Sequence, residues 1–75
     1  MIQIGKALYR ARLAIHRNQF YFESVGISQR AVSRIERGEK FPPPNEVDAM
    51  IRHLGVDEKE YVNIYLLHSR HNITR

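Results

Sequence analysis

Gln29, Arg30, Ser33, Arg34 and Arg37 fall within one short stretch, and helical spacing separates them from Val32 and Ile35, which point the other way. Arg and Gln are the side chains that read base edges. The guanidinium fork pairs with guanine and the carboxamide with adenine. Glu36 is the only acid among them, which is unusual for a face that is merely solvated. The surrounding run, GISQRAVSRIERG from Gly26 to Gly38, carries its own punctuation. Gly26 can adopt the positive φ that ends one helix and turns into another. Ser28 is placed as an N-cap, and Gly38 closes the helix. A reading helix over about 29–37 follows.

No other constellation in the chain points to chemistry. There is no cysteine, so neither a disulfide framework nor a thiolate metal site is expected. His68 and His71 stand at i, i+3 with no carboxylate or cysteine beside them, which suits the polar end of a helix better than a metal. Asp57, Glu58 and Glu60 complement a helix N-terminus rather than form an acid–base pair. Ser28 and Ser33 have no histidine in local reach, and GEKFPPP is not a phosphate loop. The expectation is a protein that is not an enzyme, with no cofactor, no metal and no small-molecule ligand.

GIS, then V-x-x-I, then ERGE strongly resembles the Cro/phage-repressor type of helix-turn-helix protein, the XRE family, over about residues 4–61. The resemblance implies an all-α, compact five-helix domain of the lambda-repressor-like kind. It would be a sequence-specific regulator of double-stranded DNA, most simply a repressor, bound at an operator. Gln29, Arg30 and Arg34 fall where such repressors contact bases, with Ser28 at the edge of that set and Ser33 on the same face. Arg37 and Lys40 fall where phosphates are held, and Arg17 and Asn18 hold the backbone from the other side. Arg12 takes the place of a first-helix arginine that pairs with the glutamate of the ERG segment, here Glu36. The half before Gly26 departs from the family. Asn18 takes the place of its usual Gln, Phe22 that of a small Ala, and the stretch from Arg12 to Gly26 is one residue short.

The elements that position these residues are legible as periodicities. A first helix spans about 3–16, with Ile4, Ala7, Leu8, Ala11 and Ile15 as its buried stripe, Arg12 bordering it, and Tyr9 and Leu13 as a patch on the far side. A second spans about 19–25 with Asn18 as its cap; Phe20, Tyr21 and Phe22 in succession cannot all face one core, so one stays exposed or meets a partner. Phe41 is expected to anchor the loop after the reading helix, before the extended prolines 42–44. A fourth helix over about 45–54 carries Val47, Met50, Ile51 and Leu54 at i, i+3, i+4, i+7 and ends at Gly55. Asp57 with Glu60 starts a fifth helix that runs to about residue 68 or 69. Residues 1–70 then form one domain and 71–75 a frayed tail.

The 75 residues carry a net charge of +4, distributed as +5 over residues 1–40 and −1 over residues 41–75. The excess lies with the reading helix, which suits a polyanion. No apolar run approaches a membrane span of ~20 residues and no signal-peptide pattern opens the chain, so a cytoplasmic location is the default. The fifth helix carries more apolar residues than one small core can cover, Tyr61, Val62, Ile64, Tyr65, Leu66 and Leu67. Tyr61, Ile64, Tyr65 and Leu66 are accordingly expected at a homodimer interface, with Tyr9 and Leu13 as possible neighbours across the axis. The alternative reading is a protein-interaction module on the same fold, an antitoxin or antirepressor partner. It is motivated by the aromatic run and the fifth helix, and it gives the Gln/Arg face nothing to do.

Overall fold

The computed structural model describes residues 4–73, and the side chains of all of these except residues 58 and 68–73. Four α-helices, α1 (Ile4–Ala14), α2 (Gln29–Glu36), α3 (Pro44–Leu54) and α4 (Glu58–Ile73), enclose one core, with a 3₁₀ helix, Gln19–Val25, between α1 and α2. No strand occurs among the described residues. Leu8, Phe22, Val32, Ile35, Val47, Met50, Ile51 and Ile64 are fully buried, and Ile4, Ile27 and Leu54 nearly so. Every helix therefore contributes, each such side chain stabilising by roughly 1.5–3 kcal/mol. The α3 stripe is wholly internal, Pro44 sits in its first turn where no N–H is needed, and Gly55 caps it.

The second helix has the expected bounds but the tighter winding. A 3₁₀ helix rises about 2.0 Å per residue against about 1.5 Å for an α-helix, so seven residues span ~14 Å instead of ~10.5 Å. That extra reach compensates for the residue missing between Arg12 and Gly26. With three residues per turn, Phe22 points into the core, Tyr21 and Ser24 face α3, and Phe20 and Glu23 face solvent. Phe20, 59% exposed, is the aromatic left outside.

The first helix ends two residues earlier than its pattern suggests. Arg17 N–H donates to the Arg12 carbonyl and His16 N–H to that of Leu13, a 6→1 and 5→2 pair that closes α1 with His16 at φ 59°. Ile15 is thereby swung out of the buried stripe and is exposed, and the fourth buried position of α1 goes to Arg12. Gly5 is buried too. A Cβ there would collide with the Ile35 carbonyl oxygen, so glycine is what lets α1 lie against α2.

Two further expectations are corrected. Pro42, not Phe41, anchors the loop after α2: its side chain is fully buried, while Phe41 is 37% exposed. The expected tail at 71–75 is helical through Ile73, since no glycine or proline interrupts the sequence there; residues 74 and 75 lie outside the described part.

Candidate nucleic-acid interface

α2 is held at both ends by local chemistry. Ser28 is extended and its hydroxyl accepts from Ala31 N–H at 3.1 Å. Gly26, at φ 85°, makes the turn into it. Val32 and Ile35 fix its inner side in the core, so its outer side presents Arg30, Arg34 and Arg37, all exposed, with Gln29 and Ser33 half-buried along one edge. Arg30 and Arg34 have no carboxylate partner among the described residues. Two uncompensated cations at i, i+4, about one turn of helix apart, repel each other, and an anion between them removes that cost. Arg37 pairs with Glu39 at 3.2 Å, both sides exposed, and Lys40 leans toward Glu46 of α3 at 3.9 Å. The exposed Arg37–Glu39 pair holds its partner weakly and yields readily to a phosphate; Lys40 and Glu46 are both half-buried, and 3.9 Å is too long for a hydrogen bond.

A buried polar chain stands behind the exposed face. Arg12 clasps Glu36 with two bonds, Nε to Oε2 at 2.7 Å and Nη2 to Oε1 at 2.9 Å, with side chains only 7% and 4% exposed. The hydrogen bond to Glu36 is the main reason the Arg12 guanidinium holds its proton even more firmly than usual. Its Nη1 donates to the Arg17 carbonyl at 2.7 Å, which ties the α1 turn to the same cluster. Gln19 Nε2 donates to Glu36 Oε1 at 2.9 Å, and Gln29 Nε2 donates to Gln19 Oε1 at 2.6 Å. The carboxamide of Gln29, at the start of the reading helix, is thus aimed by a chain of bonds that begins in α1.

Gln19 opens the 3₁₀ helix and bridges Glu36 to Gln29. Asn18 is the cap, its Oδ1 accepting from Phe20 N–H at 3.0 Å, which leaves its amide hydrogens for an anion. Arg17 is exposed but lies over the Tyr21 ring at 5.1 Å. The sequence does not announce this bridging role of Gln19, because its partners Glu36 and Gln29 lie 17 and 10 residues away in the chain.

It also missed the clasp that mounts the 3₁₀ helix on α3. Tyr21 Oη donates to the His53 carbonyl at 2.9 Å, and His53 Nε2 lies 2.9 Å from the Tyr21 carbonyl, which fixes Nε2 as the protonated nitrogen. The rings stack at 4.2 Å, and Ser24 Oγ is 3.2 Å from the same Nε2. Nothing in the local pattern pairs a tyrosine and a histidine so far apart in the chain.

The expected interface on α4 divides. Ile64 is fully buried in the core of its own chain, so it is not a subunit contact. Tyr61 is half-buried against α3: its Oη donates to Asp48 Oδ1 at 2.6 Å, and Arg52, which bonds Asp48 at 2.8 Å, lies 5.9 Å from its ring. The Tyr61 hydroxyl holds Asp48 below the ordinary carboxylate range, and Asp48 in turn raises Tyr61. Val62, Tyr65 and Leu66 are 45%, 54% and 48% exposed and share one face. Tyr9 is turned away from α4. It lines a cleft with Gln19, Ser33 and Arg37, whereas Arg10, Ala11 and Ala14, on the other flank of α1, line a cleft with Asp57 and Glu60.

Among the described residues no cluster of His, Asp or Glu could hold a metal ion, and no helix is long and apolar enough to cross a membrane. In comparison with known families, residues 23–61, a little over half of the chain, match the model of a family described as a helix-turn-helix domain. No curated protein and no solved structure matches the chain.

Proposed function

We propose that this chain, which belongs to the helix-turn-helix domain family of the XRE-like group, is a sequence-specific regulator of double-stranded DNA that acts as a cytoplasmic repressor. α2 enters the major groove, and the 3₁₀ helix crosses the backbone beside it. Arg30, Arg34 and the aimed carboxamide of Gln29 meet base edges, with Ser28 and Ser33 at the margin of that set. Arg37, Lys40, Arg17 and Asn18 meet phosphates. Base contacts choose the sequence and phosphate contacts supply salt-dependent affinity.

The observation that carries this reading is the outer face of α2, where Arg30 and Arg34 stand exposed and uncompensated beside a buried network that orients Gln29. An antitoxin or antirepressor partner on the same fold has no use for that arrangement. Selection from a pool of randomised duplexes at fixed salt tests it. The expected outcome is one enriched site containing G at the Arg34 position. Enrichment of no sequence above the starting pool would refute sequence-specific binding.

A further inference from the structure

A cleft of about 390 Å³ opens between α1 and the turn that joins α3 to α4, and neither α2 nor the outer face of α4 lines it. Its floor is apolar. Ala11 and Ala14 present only a methyl group on this flank of α1, and Gly55, left-handed at φ 70°, carries α3 into the turn without a side chain. Ile15, set outside the buried stripe by the early stop of α1, is 37% exposed and adds to the same surface, which Leu54 and Val56 complete. The rim carries both signs of charge. Arg10 stands exposed on α1 and makes no ion pair among the described residues. Asp57 and Glu60 stand exposed on the α4 side. Asp57 Oδ1 accepts from the Glu60 N–H at 2.8 Å, which leaves Oδ2 open toward the rim, and neither carboxylate reaches Arg10. A cation and two carboxylates thus line one apolar cleft without meeting across it.

We propose that this cleft binds a free aliphatic α-amino acid. Its volume falls in the lower part of the range of small-molecule sites, ~300–1,000 Å³. The apolar floor alone would take any hydrocarbon, and the rim is what selects. A ligand that answers it carries one anionic and one cationic group beside an apolar side chain, which is the make-up of the zwitterion. The α-carboxylate accepts from the guanidinium fork of Arg10, and the α-ammonium donates to Glu60 and to Asp57 Oδ2. The side chain covers Ile15 and Val56. The N-terminal residue of a peptide lacks the carboxylate and a C-terminal residue lacks the ammonium, so neither answers both sides. Because α2 takes no part in the cleft, the site stands independently of the DNA reading.

The test is an amide-resolved NMR titration of the full chain with leucine, leucinamide, N-acetylleucine and glycine. Leucine is expected to shift the amides of Ala11, Ala14 and Val56 saturably. Leucinamide and N-acetylleucine, each lacking one charge, are expected to bind about 3–10-fold more weakly, and glycine, lacking the side chain, at least ~10-fold more weakly. Arg10→Gln and Glu60→Gln alter exposed side chains and keep the fold. Arg10→Gln is expected to weaken leucine about 3–10-fold without weakening leucinamide, and Glu60→Gln to weaken leucine without weakening N-acetylleucine. Leucinamide or N-acetylleucine binding as tightly as leucine would assign the cleft to a peptide terminus and overturn the free amino acid. If leucine produces no saturable shift at these amides, or binds both variants as it binds the unaltered protein, the cleft is not an amino-acid site.

Discussion

Removing the Arg12 side chain strands the Glu36 carboxylate in a position only 4% exposed. An ion pair buried this far is not strong evidence of net stabilisation against an apolar pair, but breaking it by removing one partner costs about 3–5 kcal/mol. A domain of this size has little more than that in total. Arg12→Ala is therefore expected to lower Tm by more than about 10 °C, read by circular dichroism. An unchanged Tm would mean that the pair does not hold α1 to α2. The exposed arginines of α2 make the opposite case, since on the proposed reading they act in binding and not in the fold. Arg34→Ala is expected to relax preference at one base pair by about 1–3 kcal/mol. Arg37→Ala should weaken every sequence alike and flatten the salt slope by about one unit. Repeating the selection and the salt titration with each variant separates the two roles, and an identical loss pattern for both would contradict them.

The turns between elements tell the same story through backbone conformation. The 3₁₀ helix and α2 each end with a 6→1 and a 5→2 hydrogen bond around a left-handed glycine, Gly26 at φ 85° and Gly38 at φ 79°. α1 ends with the same pair of bonds, but His16 occupies the left-handed position at φ 59°. A Cβ there costs roughly 1–2 kcal/mol that glycine avoids. His16→Gly, which removes an exposed side chain, is expected to stabilise by about 1 kcal/mol, because the entropy glycine gains in the unfolded chain offsets part of the relief. Chemical denaturation measures it, and a destabilised variant would show that the imidazole does something at that turn. The same comparison explains what could be read in advance. α2 and α3 were legible with their caps, cores and stops because each is announced by neighbouring residues: Ser28, Gly38, Pro44, Gly55 and a regular apolar period. The end of α1 was not, because histidine does not announce a left-handed turn and Ile15 continued the period. The 3₁₀ winding was not, because it answers a distance between α1 and α2 that no local pattern contains. Pro42 in place of Phe41, and the Tyr21–His53 clasp, are likewise decided by surfaces that meet only after folding. On the candidate interface the exposure of Arg30, Arg34 and Arg37 and the cap at Ser28 are legible from type and spacing, whereas the bonds of Gln19 to Glu36 and Gln29 join residues that no local pattern links.

A single copy of this domain offers one reading helix, which spans only a few base pairs and discriminates poorly among the competing sites of a genome. Two copies related by a two-fold axis read half-sites about one helical turn, ~34 Å, apart. The molecule measures 31 × 26 × 21 Å, so two copies in contact set equivalent surfaces about one molecular width apart, close to that spacing. The surface on offer is the outer face of α4, where Val62, Tyr65 and Leu66 stand at i, i+3, i+4 and are about half exposed. Ile64, on the opposite side of the helix, anchors α4 in its own core, so the outer face can change without releasing the helix. Tyr65 adds an aromatic surface with a polar tip, a common interface residue. The expected assembly is a symmetric homodimer through Val62, Tyr65 and Leu66, each set meeting its own copy. Leu66→Glu then places two carboxylates against each other at the axis and is expected to yield a folded monomer that has lost tight operator binding but keeps weak binding to a half-site. Sedimentation and denaturation of the same preparation distinguish dissociation from unfolding. An unaltered protein that sediments as a monomer both free and on its operator would remove α4 from the account of specificity.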